Sequence, residues 1–514
     1  MPSKKLQRDR FFEFFNRRSE ALTFDDVLLE PRRSVVVPRD VSFKTWLTPE
    51  IPLHIPLVSA DMDTVTEDEF GIEIAKQGGM GFLWKHPDID VQVGWAQTVK
   101  YAFNKLIDKP VTILDTQTKK DIRETLARYK NEFSSLVVLD NSGKVVGLVT
   151  RDQTKFAKDS DIVGKFMVRE PVKTSRVMDV RAAYDFMRKN RTGKLIMVNR
   201  NGTLRGLYTF KDVAEIVEGA TPMFNRDGDG RLRVGANVGF IDSGDTKSRD
   251  NFFERAEKLL EARCDALLIG TAHGDTDNVL NSVQALKGLK RKYDFGLVAG
   301  NVATYSGAMD LIRAGVDAIK IGIGAGSICT TRIVAGVGVP QLTAVYNCAR
   351  AAKRWGKTAI ADGGIRYSGD IMKAIAAGAD CAMIGSLFAA TDESAGEKIV
   401  GKGGARYKSY RGMGSVGAMR DNKTADRYGW KGAEKSVPEG VEGRVLLRGP
   451  VADEVYQLVG GIKNGMGYLG AGTIPEIASR ARFIRISSAG QIESHPHDIE
   501  ITEDSPNYPT GGRR

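Results

Sequence analysis

One alternation of apolar and polar positions recurs three times in the C-terminal half of the chain. Ala262-Arg-Cys-Asp-Ala-Leu-Leu-Ile-Gly270 matches Ala314-Gly-Val-Asp-Ala-Ile-Lys-Ile-Gly322 and Ala377-Gly-Ala-Asp-Cys-Ala-Met-Ile-Gly385. Each copy reads as a helix end, a tight turn, a short apolar strand and a glycine. Amphipathic helical stretches, Gly307–Arg313 and Gly369–Ala376, precede two of them. Helix alternating with near-continuous apolar strand predicts a parallel sheet buried on both faces. Eight such strands can be placed, at Pro56–Ser59, Gly79–Leu83, Arg233–Val238, Ala266–Ile269, Leu297–Gly300, Ala318–Ile321, Ala359–Ala361 and Ala382–Ile384. Eight parallel strands predict an α/β fold of the (βα)8 TIM-barrel type. An open doubly wound sheet is the alternative.

The interval between the second and third strands is too long for one crossover helix, and it contains a repeat of its own. Leu136–Thr150 aligns with Leu195–Thr209, each a β-hairpin turning at Gly143 or Gly202 and followed by a helix. The predicted division is therefore a barrel start at 1–108, an insert at 109–217, and the rest of the barrel at 218–514. The insert resembles a tandem CBS (Bateman) pair, a module that often binds adenine or guanine nucleotides. In that module an acid three residues after the threonine holds a ribose. Asp212 follows Thr209 at that spacing, whereas Gln153 follows Thr150. A purine nucleotide effector and a purely structural insert both fit this pattern.

Composition narrows the classes. Hydrophobic residues make up 42% of the 514 and charged residues 27%, as in a soluble globular protein. No stretch approaches the roughly 20 apolar residues of a membrane span. Met1–Arg10 is basic without an apolar run behind it, unlike a secretory signal. Four cysteines stand without any CxxC pair, so a cytoplasmic, reduced setting fits better than a disulfide framework or a zinc site. The net charge of +11 is spread along the chain, which favours anionic small molecules over a nucleic-acid surface.

In barrels of this type the chemistry sits at the C-terminal strand ends. After the sixth strand comes Gly322-Ile-Gly-Ala-Gly-Ser-Ile-Cys-Thr-Thr-Arg332. Its glycines allow a sharp turn with amides aimed at an anion. Cys329 stands beside hydroxyls and Arg332, a setting for a nucleophilic thiol, although a lone cysteine is also an ordinary small core residue. Cys264, Cys348 and Cys381 fit the core reading. Asp362-Gly-Gly-Ile-Arg366 follows the seventh strand and Gly385-Ser386 the eighth, where barrels commonly hold phosphate. These glycines could also simply close tight turns. From about Lys408 to Gly443 no apolar period is visible, which predicts a long loop acting as a mobile flap.

Taken together, these residues resemble the IMP dehydrogenase and GMP reductase family, from about Leu22 to Asp498. The motifs that carry the resemblance are Ser59-Ala-Asp-Met-Asp-Thr-Val-Thr-Glu67, Ala299-Gly-Asn-Val-Ala-Thr304, Gly324–Arg332, Asp362–Arg366, Tyr410-Arg-Gly-Met-Gly-Ser415 and Glu493-Ser-His-Pro-His-Asp498. The resemblance implies oxidation of IMP to XMP with NAD+ through a thioimidate on Cys329. Arg427, helped by Tyr428 and Thr331, would activate water. It implies IMP contacts from Met62, Ser327, Asp362, Gly364, Gly385, Ser386, Tyr410, Met413, Gly414 and Glu439. The cofactor side would include Gly270, His273, Asn301, Gly322 and Gly324. A monovalent cation, K+, would rest on carbonyls of Gly324, Gly326 and Cys329, with Glu493, Ser494 and His495 supplied by a neighbouring subunit of a homotetramer, an octamer being the larger alternative. The family usually has an acid where Gly270 stands, so the resemblance also implies weaker or altered NAD+ binding. A GMP reductase using NADPH and a nucleotide sensor without catalysis are the competing readings.

Overall fold

The computed structural model describes residues 20–102, 106–107, 110–127, 135–176, 178, 180–218, 223–245, 247–422, 437–503 and 505–508. The chain divides into two compact units. One comprises Met1–Val99, Met223–Asn225 and Arg233–Arg514, and the other Lys100–Pro222 and Arg226–Leu232.

The first unit is a closed parallel barrel of β1 (Leu57–Ser59), β2 (Met80–Leu83), β3 (Val234–Asn237), β4 (Ala266–Gly270), β5 (Gly296–Val302), β6 (Ala318–Ile321), β7 (Thr358–Asp362) and β8 (Cys381–Ile384). Met383 of β8 lies opposite Val58 of β1, which closes the ring and excludes the open sheet. All eight predicted segments are barrel strands, with ends displaced by at most two residues. The surrounding helices include α1 (Asp68–Lys76), α2 (Ile89–Tyr101), α3 (Ser248–Glu261), α4 (Asp277–Leu289), α5 (Tyr305–Ala314), α6 (Gln341–Arg354), α7 (Ser368–Ala376) and α8 (Val451–Leu469).

The threefold repeat has a structural cause. Its aspartate precedes a strand and accepts the amide at the start of the neighbouring one: Asp265 from Val234 at 2.9 Å, Asp317 from Leu297 at 2.9 Å, and Asp380 from Ala359 at 2.8 Å. The position two residues earlier is left-handed, with φ of 118° at Gly315, 113° at Gly378 and 69° at Arg263. Glycine takes that conformation at no steric cost. Inside the ring, Val58, Met80, Phe82, Leu268, Val298, Ile360 and Met383 form one core with Leu47, Ile51 and Leu53. Those last three belong to the hairpin Thr45–Thr48 and Ile51–Leu53. It plugs the N-terminal barrel end, where the Thr358 hydroxyl donates to Leu47 O at 2.5 Å. Each such aliphatic side chain contributes roughly 1.5–3 kcal/mol by burial.

The second unit contains two three-stranded sheets of the same design. Thr112–Leu114 runs parallel to Ser135–Leu139, which forms a hairpin with Val145–Thr150. Lys173–Thr174, Lys194–Val198 and Leu204–Thr209 repeat that order. The unit is wider than the span of the sequence repeat, because Ile107 pairs with Leu207 and draws in residues before 109. Gln153 accepts the amide of Thr150 at 3.0 Å in a capping box, and the Thr209 hydroxyl donates to Asp212 at 2.5 Å. Both side chains thus begin a helix in the same way.

The long loop predicted from about Lys408 is corrected by the structure. Lys398–Val400, Arg406–Arg411 and Glu442–Leu446 form an antiparallel sheet, and Val416–Asn422 is a helix. Residues 423–436, with Arg427 and Tyr428, lie outside the described residues. Among the described residues no helix is long and apolar enough to cross a membrane.

Candidate active site

A cavity of about 400 Å³ opens at the C-terminal strand ends of the barrel. Its wall includes Met62 after β1, Thr271 after β4, Asn301 of β5, Lys320 of β6 and Asp362 of β7. The glycine-rich loop after β6 supplies Gly322, Gly324, Gly326, Ser327, Cys329 and Thr331. Gly364 follows β7, Gly385 and Ser386 follow β8, and Tyr410 and Met413 come from beyond the barrel.

Cys329 is the partly buried cysteine, whereas Cys264, Cys348 and Cys381 are buried. Burial pushes the thiols of Cys348 and Cys381 well above the ordinary range, which keeps them protonated and inert. The Cys329 sulfur lies 3.1 Å from Thr331 Oγ1, and that hydroxyl donates to Glu439 Oε2 at 2.7 Å. Thiol, hydroxyl and carboxylate therefore form a continuous path for a proton. The backbone fixes this path: Thr330 N donates to Glu439 O and Val441 N to Ile328 O, each at 2.9 Å. Arg332 braces the loop by donating to Ile323 O at 3.2 Å and Val339 O at 2.7 Å. Burial holds its guanidinium below the usual arginine value, and the nearby Cys329 works against that drop.

The loop must leave β6 through Gly322. Its φ is 142°, and an added Cβ would lie 2.1 Å from the carbonyl oxygen of Asp362. Gln341 Nε2 joins the two strand ends from below, donating to Ile321 O at 3.0 Å and Asp362 O at 2.9 Å. Asp362 Oδ2 accepts from Asn301 at 2.8 Å and Lys320 at 2.5 Å. No donor among the described residues reaches Oδ1, so that oxygen can accept a sugar hydroxyl. In the loops after β7 and β8, the amides of Gly364 and Ser386 reach no acceptor among the described residues, which suits an anion. Tyr410 is buried there, its hydroxyl 3.9 Å from Met62 Sδ. Its pKa is raised by burial, with further upward pressure from Asp362 and Cys329.

Not every predicted site residue meets the cavity. Gly414 acts through its carbonyl, which accepts Glu439 N at 3.0 Å. His273 is exposed and outside the wall. Gly270 ends β4 one residue before the wall. Glu493, Ser494 and His495 lie elsewhere on the same chain, where the His495 ring is 6.3 Å from that of Tyr367 and Nδ1 is 2.7 Å from the Tyr508 hydroxyl. As for a cation on the loop, the carbonyl of Gly326 already accepts Cys329 N at 3.1 Å. No donor among the described residues reaches those of Gly324 and Cys329, so two of the three expected oxygens fit. The sequence reading missed Asp61, Asn237, Lys320 and Gln341. Lys320 could have been noticed, as a lysine inside the apolar run Ala318–Ile321.

A closed parallel barrel with a thiol, a carboxylate and glycine loops brought together at its C-terminal mouth is the arrangement of a (βα)8-barrel enzyme. The profile of the IMP dehydrogenase / GMP reductase domain matches residues 21–497, and the chain belongs to that family. It is 45% identical over 493 residues to the inosine-5′-monophosphate dehydrogenase of Halalkalibacterium halodurans, covering 96% of this chain and 98% of that one. The enzyme of the same name from Aquifex aeolicus is also 45% identical, over 95% of this chain and 98% of its own. Among solved structures, the GMP reductase of Trypanosoma brucei in complex with guanosine 5′-monophosphate superposes with a TM-score of 0.84 at 39% identity. That match covers 95% of this chain and 100% of the other.

Proposed function

We propose that this chain oxidises IMP to XMP with NAD+ and water, a step of guanine nucleotide synthesis. The observation that carries the proposal is the path from Cys329 and Thr331, on the cavity wall, to Glu439 behind it. The Cys329 proton passes through Thr331 towards Glu439, and the sulfur bonds to C2 of the hypoxanthine. Bound NAD+ supplies the acceptor for the hydride that leaves C2. A thioimidate remains on Cys329. Water then adds at C2, the C2–S bond breaks, the thiolate regains its proton from Glu439 through Thr331, and the proton released from water leaves with the solvent. The sum is IMP, NAD+ and water going to XMP, NADH and a proton.

The remaining residues position the nucleotide. Asp362 Oδ1 accepts the ribose hydroxyls, while Gly364, Gly385, Ser386 and Tyr410 hold the phosphate. Met62, Ser327, Met413, Gly414 and Glu439 border the base. Arg427 and Tyr428 activate water, and NAD+ lies toward Gly270, His273 and Asn301. K+ would rest on the carbonyls of Gly324 and Cys329, and on that of Gly326 once it releases the Cys329 amide, with Glu493–His495 reaching it from a neighbouring subunit in a tetramer. The insert at 109–217 is a CBS pair, and the protein is cytoplasmic.

The competing reaction is reduction of GMP by NADPH with release of ammonia. Turnover of IMP with NAD+, measured beside turnover of GMP with NADPH, separates them. We expect NADH and XMP in equal amounts from the first mixture. Activity in the second mixture alone overturns the proposal.

A further inference from the structure

The floor of the cavity holds charges that neither the thiol nor the glycine loops require. Lys320, 5% exposed, places Nζ 2.5 Å from Asp362 Oδ2, 3.0 Å from Asn301 Oδ1 and 3.6 Å from Asp61 Oδ1. Asp61 is 2% exposed and also lines the cavity. Its Oδ2 accepts from Asn237 Nδ2 at 2.5 Å, and the same nitrogen is 3.4 Å from the carbonyl oxygen of Gly270. Two carboxylates thus share one ammonium under the cavity. Asp362 lies on the side of the Cys329 loop. Asp61 lies on the other side of Lys320, against the end of β4, where Gly270 brings no side chain.

A buried negative charge discriminates between ligands by their own charge, because little solvent screens it. The nicotinamide ring is cationic when oxidised and neutral when reduced. A carboxylate also accepts hydroxyl hydrogens, with roughly four lone-pair sites to share among its donors. We propose that Asp61 is the carboxylate of the cofactor side: it orients the nicotinamide riboside and favours its oxidised form. Asn237 fixes the direction of Asp61, and Lys320 divides the floor into a substrate carboxylate, Asp362, and a cofactor carboxylate, Asp61. The inference rests on the NAD+-dependent reading given above.

The test begins with the unaltered enzyme, whose turnover of IMP with NAD+ checks that reading by itself. Asp61→Asn then keeps the shape and removes the charge. Losing a hydrogen bond to a charged group corresponds to a loss of about tenfold or more in affinity. We expect KM for NAD+ to rise by about that factor while KM for IMP stays within about twofold. A second readout avoids turnover: calorimetric binding of NAD+ and of NADH to Cys329→Ala protein holding IMP. There Asp61→Asn should weaken both forms, which share the ribose hydroxyls, and NAD+ by the larger factor. In Asp61→Ala/Gly270→Asp the charge returns from the end of β4, and NAD+ affinity should recover. This double variant carries the test if Asp61→Asn does not fold. Equal loss of IMP and NAD+, or unchanged NAD+ binding, overturns the proposal, as does failure of the double variant to recover.

Discussion

Replacing Thr331 by valine removes one oxygen and almost nothing else. Thr331 is 9% exposed, and valine has nearly its shape, so the loop after β6 should keep its backbone bonds. Two contacts vanish: the 3.1 Å approach to the Cys329 sulfur and the 2.7 Å bond to Glu439. The second is charge-assisted, worth about 1.5–3 kcal/mol. At roughly 1.4 kcal/mol per factor of ten, that alone gives a loss of about ten- to a hundredfold. If the hydroxyl relays the thiol proton, general-base assistance of about 10²–10⁴ is at stake as well. We therefore expect kcat for NADH formation to fall by at least about a hundredfold, with KM for IMP changed little. Alkylation of Cys329 by iodoacetamide, followed against pH without substrate, isolates the thiol. Its rate near neutral pH should fall in parallel. Alkylation at the native rate, together with turnover within about twofold of native, would refute the relay.

Further outcomes follow from the same geometry. Gly322→Ala should abolish turnover, because its Cβ would meet the Asp362 carbonyl at 2.1 Å; an active, soluble variant would show that the loop can leave β6 by another path. Asp380 is raised to about 6 by burial, so the stability tied to its protonated form is present below the unfolded value near 3.8 and is lost as pH rises through about 6. Asp380→Asn should accordingly melt at a temperature less dependent on pH between those values than the native protein does. Thiol labelling of the folded protein should modify Cys329 first and leave Cys264, Cys348 and Cys381 untouched until denaturant is added, as peptide mapping would show.

The barrel was legible because its strands are buried on both faces and read as uninterrupted apolar runs between glycines. The threefold repeat of helix end, turn, apolar strand and glycine marked three of the strands. The strand Arg406–Arg411 was not legible, for a specific reason. Its inward positions are Lys408 and Tyr410, so the apolar alternation that announces a half-buried strand is broken by a lysine. Lys408 is buried nonetheless, because its ammonium reaches the carbonyls of Ser394 at 2.6 Å and Asp392 at 3.3 Å. The site divided along similar lines. Cys329 and its glycines announce themselves by spacing. The path to Glu439 joins residues 108 positions apart and needs the fold. Asp61, Asn237 and Lys320 meet only because three separate strand ends converge at one mouth of the barrel.

Covalent attack by Cys329 on IMP is the centre of this account, and rapid quenching followed by peptide mass spectrometry tests it most directly. When IMP and NAD+ are mixed with enzyme and quenched in acid within the first turnover, the peptide bearing Cys329 should gain the mass of IMP less two hydrogens, one lost from the thiol and one from C2, alongside an equal amount of NADH. NADH formed with that peptide unmodified at every quench time, or an adduct mapped to another residue, would contradict it.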